Sequence, residues 1–270
     1  MSAPLVVIRG GGDLATGAAA RLHRSGFPTV VLEIEQPLAV RRRVALAEAV
    51  YSGQVEIEGL QAVRAADEAE ARRLLSRSII PVLVDSNADS IGALKPEIIV
   101  DGRMRKAPSE LPLDSAKLII GLGPGFSAGV DCHAVVETQR GHHLGRVIWI
   151  GSAQADTHVP EPVDGFDVDR VLRASRAGVM QGLKPIGSVV EKGETIFAVD
   201  GEPTAAPFAG AIRGLLHDGL QVVPGAKVGD LDPRQEPRYC LEISDKALAV
   251  GGGVLEAILS RPELRRALAR

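Results

Sequence analysis

Two cysteines in 270 residues, Cys132 and Cys240, are too few for a disulfide framework. Aromatic residues make up 3% of the chain, which leaves little for nucleic-acid bases to stack on. The net charge is −3 and the basic residues are scattered, so no nucleic-acid surface is expected. No apolar run approaches the ~18 residues that a membrane span needs. No basic region precedes the short apolar stretch Leu5–Ile8, so a signal peptide is not expected either. These absences describe a soluble, cytoplasmic protein that binds neither nucleic acid nor membrane. The Gly-Lys-Ser/Thr ending of the lysine-bearing phosphate loop is also missing. What the chain does have is 45% hydrophobic residues, enough for a real core, and 30 glycines, which point to many tight turns.

The first glycines fall in "LVVIRGGGDLATGAAARLHRSGFPTVVLE", from Leu5 to Glu33. Val6, Val7 and Ile8 read as a strand covered on both faces. Gly10, Gly12 and Ala15 fit the G-x-G-x-x-A form of the dinucleotide fingerprint. Gly10 would make the turn, Gly12 would admit a pyrophosphate, and Ala15 would bring the helix close to the strand. The helix following the loop would aim its first N–H groups, with Gly11, Asp13 and Thr16 around them, at a phosphate. It stops at Gly26, and a second strand, "TVVLE", ends at Glu33, where a ribose hydroxyl would be held by Glu33 or Glu35. Arg41, Arg42 and Arg43 follow, and Arg42 is a candidate for neutralising phosphate; a solvated basic helix start accounts for them equally. The same glycines would also serve as a plain tight turn. Asp13 would repel a pyrophosphate unless it turns away or holds a cation.

More α/β units follow. "DEAEARRLLSRS" reads as a helix opened by Asp67, and "IIPVLVD" and "PEIIVDGRM" as strands ending at Asp85 and Asp101. Acids at the ends of parallel strands sit where doubly wound sheets bind ligands, or they cap the next turn. "KLIIGLGPGF" and "RVIWIG" add two strands. Between them, Gly121, Gly123, Gly125 and Gly129, with Phe126, form a second candidate anion cradle ahead of a predicted helix, "DCHAVVETQRGH". Asp131, Cys132, His133, His142 and His143 cluster there, but their spacing matches no zinc pattern, so no metal ligand is assigned. Arg140 and Arg146 would equally suit an anionic ligand. Further on, "SDKALA" opens another helix, and Gly251–Gly253 read as a flexible return to the first domain, or less economically as an anion-holding helix start.

An internal repeat is more specific. "ASRAGVMQGLKPIGSVVEKGETI" from Ala174 matches "APFAGAIRGLLHDGLQVVPGAKV" from Ala206 at a constant offset of 32 residues. Gly187 pairs with Gly219, Val190 with Val222, and Gly193 with Gly225, which predicts matched turns with positive φ. Two such halves resemble the biotinyl/lipoyl-type half-barrels of the barrel-sandwich hybrid. Those carriers present a lysine on the hairpin between the halves. Here that hairpin, Val199–Pro203, has none, and Lys246 lies after the second half, so the module is read as structural or docking.

Taken together, "VVIRGGGDLATGAAARLHRSGF", "VLEIEQPLAVRRRVALAEAVYSG", "IIGLGPGFSAGVDCHAVVETQRGHHLGRVIWIGSA" and "DKALAVGGGVLEAIL" resemble the accessory proteins of the selenium-dependent molybdenum hydroxylase system, essentially end to end. The resemblance implies a role in maturing a molybdenum hydroxylase, whose apo-enzyme would be the partner. It implies no particular reaction, and self-association stays open. A molybdopterin dinucleotide carries a pyrophosphate and a ribose as NAD(P) does, so either is a candidate cofactor. An NAD(P)-dependent oxidoreductase would need a proton donor, and Tyr51 and Tyr239 stand alone, with no Tyr-x-x-x-Lys pair. A non-catalytic scaffold is the remaining alternative. The fold expected is α/β: a Rossmann-like parallel sheet over residues 1–165, a β-rich barrel-sandwich hybrid over 170–235, and a C-terminal helix over 236–270 returning to the first domain. The candidate cofactor-binding set is Gly10, Gly11, Gly12, Asp13, Ala15, Thr16, Glu33, Glu35, Arg42, Asp85, Asp101, Gly121, Gly123, Gly125 and Phe126.

Overall fold

The structure, a computed structural model, describes residues 3–156, 165 and 168–268. It divides into two compact units. The first takes the described residues within Met1–Pro37, Leu46–Asp156 and Ile243–Arg270; the second takes those within Leu38–Ala45 and Thr157–Glu242. The short segment 38–45, placed by the sequence in the first domain, therefore belongs with the repeat. The Arg42 Nε donates to the Leu215 carbonyl at 3.2 Å, and a Cβ at Gly214 would press on the backbone of Val40.

In the first unit the chain runs β1 (Val6–Arg9), α1 (Asp13–Arg24), β2 (Thr29–Glu33), α2 (Ala49–Ser52), β3 (Gln54–Ile57), β4 (Leu60–Ala65), α3 (Glu68–Leu75), β5 (Ile80–Val84), α4 (Ile91–Leu94), β6 (Ile98–Asp101), β7 (Leu118–Leu122), β8 (Ala134–Val136) and β9 (Val147–Ile148). It ends with α5 (Asp245–Leu259) and α6 (Pro262–Leu268). The strands form one sheet in the order β3-β4-β5-β2-β1-β6-β7-β8-β9. The strands from β4 across to β8 are mutually parallel, and β3 and β9 run antiparallel at the edges. β1, β2, β5, β6 and β7 are continuous apolar runs because both of their faces are covered. Val7, Val30, Leu32 and Leu83 pack with Ala71 and Leu74 of α3 and with Leu94 of α4. Asp67 caps α3 by accepting from the Glu70 amide at 2.7 Å, as its place in the sequence implied.

Two further segments differ from the sequence reading. "DCHAVVETQRGH" forms no helix. Ala134, Val135 and Val136 join the sheet beside β7, where three buried residues, two of them β-branched, satisfy a parallel ladder. Glu137 then closes the turn by accepting from the amides of Gln139 and Gln154. Gly251–Gly253 are neither a flexible return nor a helix start, because they lie inside α5. A Cβ at Gly251 would collide with the backbone of Gly17 and Ala18 in α1, and one at Gly253 with the backbone of Gly145. The glycines let α5 approach backbone to backbone.

The second unit comprises β10 (Val171–Arg173), β11 (Gly178–Gly182), β12 (Val189–Val190), β13 (Thr195–Val199), β14 (Glu202–Ala205), β15 (Gly210–Leu215), β16 (Gln221–Val222) and β17 (Lys227–Asp232). Two four-stranded antiparallel sheets result, β10-β17-β15-β12 and β14-β13-β11-β16. Adding 32 to a position in the first half moves it to its counterpart in the second, and it exchanges one sheet for the other strand by strand. The registers follow: Val189↔Ala211 becomes Gln221↔Val179, and Leu172↔Gly229 becomes Thr204↔Phe197. Each sheet therefore mixes strands from both halves, and neither half closes alone. Among the described residues no helix is long and apolar enough to cross a membrane.

Candidate functional site

The sheet's strand order reverses between β1 and β6. From β1 the chain goes to β2 and outward, then returns to lay β6 on the other side of β1. The carboxyl ends of these two strands carry the first glycine loop and Asp101, the position at which doubly wound sheets form their crevice.

The loop itself is closely tied. The Gly10 amide donates to the Leu32 carbonyl at 2.7 Å. The Gly11 amide donates to Glu33 Oε2 at 2.7 Å, and the Ile34 amide donates to Glu33 Oε1 at 2.8 Å. Each oxygen of the Glu33 carboxylate is thus engaged by one peptide nitrogen and keeps a second acceptor site, and the side chain is part-buried. The Gly11 nitrogen is not bare. Thr16 braces the loop from inside the helix, its hydroxyl donating to the Gly12 carbonyl at 2.9 Å and accepting from the Leu46 amide at 3.0 Å. Ala15 is buried, and a Cβ at Gly102 would meet it, which is the close strand–helix approach expected of that position. Asp13 bends onto its neighbour, accepting from the Leu14 amide at 3.0 Å. Only Gly12 faces open space. Glu35 is exposed two residues beyond β2.

The second glycine loop is filled at three of its four glycines. A Cβ at Gly121 would overlap the ring of Phe126, which is buried there. One at Gly123 would strike Thr138, and one at Gly125 would strike the backbone of Lys106 and Ala107. Gly121, Gly123 and Gly125 yield their space to packing, and Gly129 has nothing within 4 Å of its missing Cβ. Arg42 is committed to the second unit through Leu215. Asp85 caps a turn, accepting from the Asp89 and Ser90 amides and from the Ser90 hydroxyl at 2.5 Å. Burial works to raise its pKa, and these hydrogen bonds outweigh burial and lower it.

What gathers at the β1/β6 crevice is charge. Arg103 grips Asp101 with both prongs, at 2.9 and 2.6 Å. Arg9, buried at the end of β1, lies 3.5 Å from the same carboxylate. Arg9, Arg103 and Arg105 all reach Glu110, the first at 3.2 Å and the second at 2.6 Å. The stem of Arg103 lies on Gly10, where a Cβ would sit 3.1 Å from its Cα and Cγ. Burial, and then the neighbouring Arg103, lower the pKa of Arg9. Of the candidate residues, Gly10 and Asp101 meet here, and Asp85 is near enough for its charge to act on Arg9. The sequence reading missed the arginines. Their signal was a charged residue closing an otherwise apolar strand, "VVIR", and two more directly after β6 in "DGRMR".

In the middle cluster, Cys132 and His133 are held by packing and backbone. Cys132 is buried, and burial together with the Asp131 carboxylate pushes its thiol up to about 12. His133 Nδ1 accepts from the Ile119 amide at 3.0 Å, and burial lowers its pKa. Arg140 forms a two-pronged pair with Asp245 at the start of α5. Among the described residues no group of three or more His, Cys, Asp or Glu could hold a metal ion.

No family model matches the chain. Over 255 residues it is 47% identical to the uncharacterized protein YqeB of Escherichia coli (strain K12), an alignment covering 94% of this chain and 47% of that protein. The chain thus spans about half the length of the curated relative it matches. Among solved structures, an aspartoacylase family protein of Mesorhizobium loti aligns at a TM-score of 0.25 and 9% identity, covering 86% of this chain and 85% of that one. The ectoine utilization protein EutE of Ruegeria pomeroyi aligns at a TM-score of 0.25 and 12% identity, covering 85% of each chain.

Proposed function

We propose that this chain is an accessory factor in the maturation of a molybdenum hydroxylase, selenium-dependent or not, and that its first unit holds a nucleotide-containing cofactor at the carboxyl ends of β1 and β6. The observation that carries the cofactor reading is the coincidence, at one topological switch point, of the glycine loop with three arginines. The fit to a molybdopterin dinucleotide or NAD(P) is partial. The Gly11 nitrogen is taken by Glu33 and offers nothing to a pyrophosphate, while the Glu33 carboxylate keeps acceptor sites for a ribose hydroxyl. The guanidinium groups and the open side of Gly12 suit an anionic group in charge and space. The hydroxylase role is supported by the sequence resemblance, and no reaction is assigned.

The second unit is read as a barrel-sandwich hybrid of the biotinyl/lipoyl kind, on the strength of its interleaved halves. Its β13–β14 hairpin turns at Asp200 and Gly201 and carries no lysine, so the module is read as structural or as a docking surface for the apo-hydroxylase, and not as a cofactor carrier.

A second reading, a scaffold whose loops only shape turns, is favoured by Glu33 on Gly11 and by Phe126 in the second loop. Thermal-shift measurements with NAD, NADP, and cytosine and guanine nucleotides separate the two. Binding to the folded state alone stabilises by about 2.7 kcal/mol at a hundredfold excess over Kd, so a concentration-dependent rise in Tm with at least one of these is expected. No rise with any of them favours the scaffold, and hydride transfer to a test substrate makes the protein an oxidoreductase instead.

A further inference from the structure

We propose that Arg9, Arg103 and Arg105 form a phosphate pocket which the chain's own Glu110 occupies as a stand-in, and that a pyrophosphate-bearing ligand enters by displacing this carboxylate. The inference rests on the reading that the β1/β6 crevice takes a phosphate-bearing cofactor, and it names the groups that recognise it.

One carboxylate collecting three guanidinium groups is an uneven arrangement. Asp101 is its fixed part: buried, bound by both prongs of Arg103, and close to Arg9. Glu110 is its removable part. It is 46% exposed, so water solvates it when it swings out and offsets part of what its three pairings contribute. It also belongs to the stretch after β6 in which Met104 and Lys106 take positive φ, 55° and 58°. Non-glycine residues in that region store strain that the surrounding contacts must hold. Over the groups in ion-pair contact, three arginines against Asp101 and Glu110 leave a net charge of +1, and +2 when Glu110 leaves; Asp85, further off, lowers both by up to one.

A phosphate meets these forks better than a carboxylate does. It has more acceptor oxygens and more charge, and guanidinium binds it with parallel N–H donors. The pocket also borders the glycine loop, since the Arg103 stem rests on Gly10 and space is open over Gly12. Anion recognition has thereby moved from peptide nitrogens to arginine side chains, which accounts for a glycine loop whose Gly11 amide is already spoken for.

The test is calorimetric titration of the full chain with inorganic pyrophosphate. Wild type, Glu110→Gln, Arg105→Ala and the double variant are compared. Glu110→Gln removes the competing charge and is expected to bind at least about tenfold tighter than wild type, the scale of one charge-assisted hydrogen bond. Adding Arg105→Ala should cancel that gain. Arg105 is half exposed, so its variant keeps the fold, and it tests the pocket by itself if Glu110→Gln fails to fold: Arg105→Ala must then weaken pyrophosphate binding against wild type. Equal affinity of wild type and Glu110→Gln, no binding to either, or indifference to Arg105→Ala overturns the proposal. The same titrations with NAD, NADP, and cytosine and guanine nucleotides keep the two readings apart. Pyrophosphate binding that tightens in Glu110→Gln while no nucleotide binds keeps the pocket and discards the cofactor. Nucleotide binding that is blind to Glu110→Gln and Arg105→Ala does the reverse.

Discussion

At the scale of the residue, the decisive side chains satisfy backbone or bury themselves where the sequence suggested reactivity. Glu33 is the clearest case. Its distance from the glycines is right for a ribose contact, yet the same distance brings its carboxylate back onto the Gly11 amide. Glu33→Ala leaves the Gly11 and Ile34 amides without these acceptors and should cost about 1–3 kcal/mol in urea unfolding. Cys132 is a second case, with a pH signature. Below about pH 8.5 its thiol is protonated in both folded and unfolded chains. Above that the unfolded chain ionises first, while the buried thiol holds its proton to about 12, so the unfolded state binds fewer protons and stability falls as pH rises. The buried Cys240, pushed up to about 11, acts in the same direction. Stability should therefore drop between pH 8 and pH 10, and Cys132→Ala should reduce that drop. A thiol reagent at pH 8 should leave both cysteines untouched until the protein unfolds. Ready labelling of the native chain at Cys132 would restore it as a candidate for sulfur chemistry.

Elements were legible where periodicity and punctuation agreed. β1, β2, β5, β6 and β7 are apolar runs closed by a charged or small residue, and α3 carries its own cap in Asp67. They were illegible where tertiary contacts overrode local signals. Ala134–Val136 sits among residues that suit a helix, and pairing with β7 on one side and β9 on the other makes it a strand. Three consecutive glycines argue against a helix by propensity, yet α5 runs through them because two of them touch other backbone. That division makes a test at neighbouring positions. Gly252 has nothing near its missing Cβ, so Gly252→Ala should stabilise by up to about 1 kcal/mol through helix propensity alone. Gly251 presses on Gly17, so Gly251→Ala should destabilise by about 1–3 kcal/mol through overpacking. Thermal unfolding of the two variants reads both signs, and equal effects would mean that α1 and α5 do not approach so closely. The charge cluster at the crevice was legible only in part, because Arg9 closes a strand in plain view while Glu110 reaches it from a loop without pattern.

At the scale of the whole molecule, the strongest sequence signal was the 32-residue repeat, and it survives into the hydrogen bonds. The Gly187 amide donates to the Ile212 carbonyl at 2.8 Å, and the Gly219 amide to Met180, its counterpart, at 2.9 Å. Gly193 donates to Ala206 and Gly225 to Ala174 in the same exchange. The two halves part company at the bulge between Ile212 and Gly214, which the first half lacks. Gly187 and Gly219 hold φ of 97° and 84° with open space around their missing Cβ atoms. A methyl group at either position therefore meets no atom, and its cost is that of the left-handed backbone, about 1–2 kcal/mol. Because the halves interleave, both turns close the same pair of sheets, and damage at one is damage to the whole unit. Gly187→Ala and Gly219→Ala should accordingly lower stability by similar amounts and leave the urea m-value unchanged. A disparity larger than about 1 kcal/mol, or a changed m-value in only one variant, would show that the halves fold with unequal weight and that the repeat marks ancestry without a shared load.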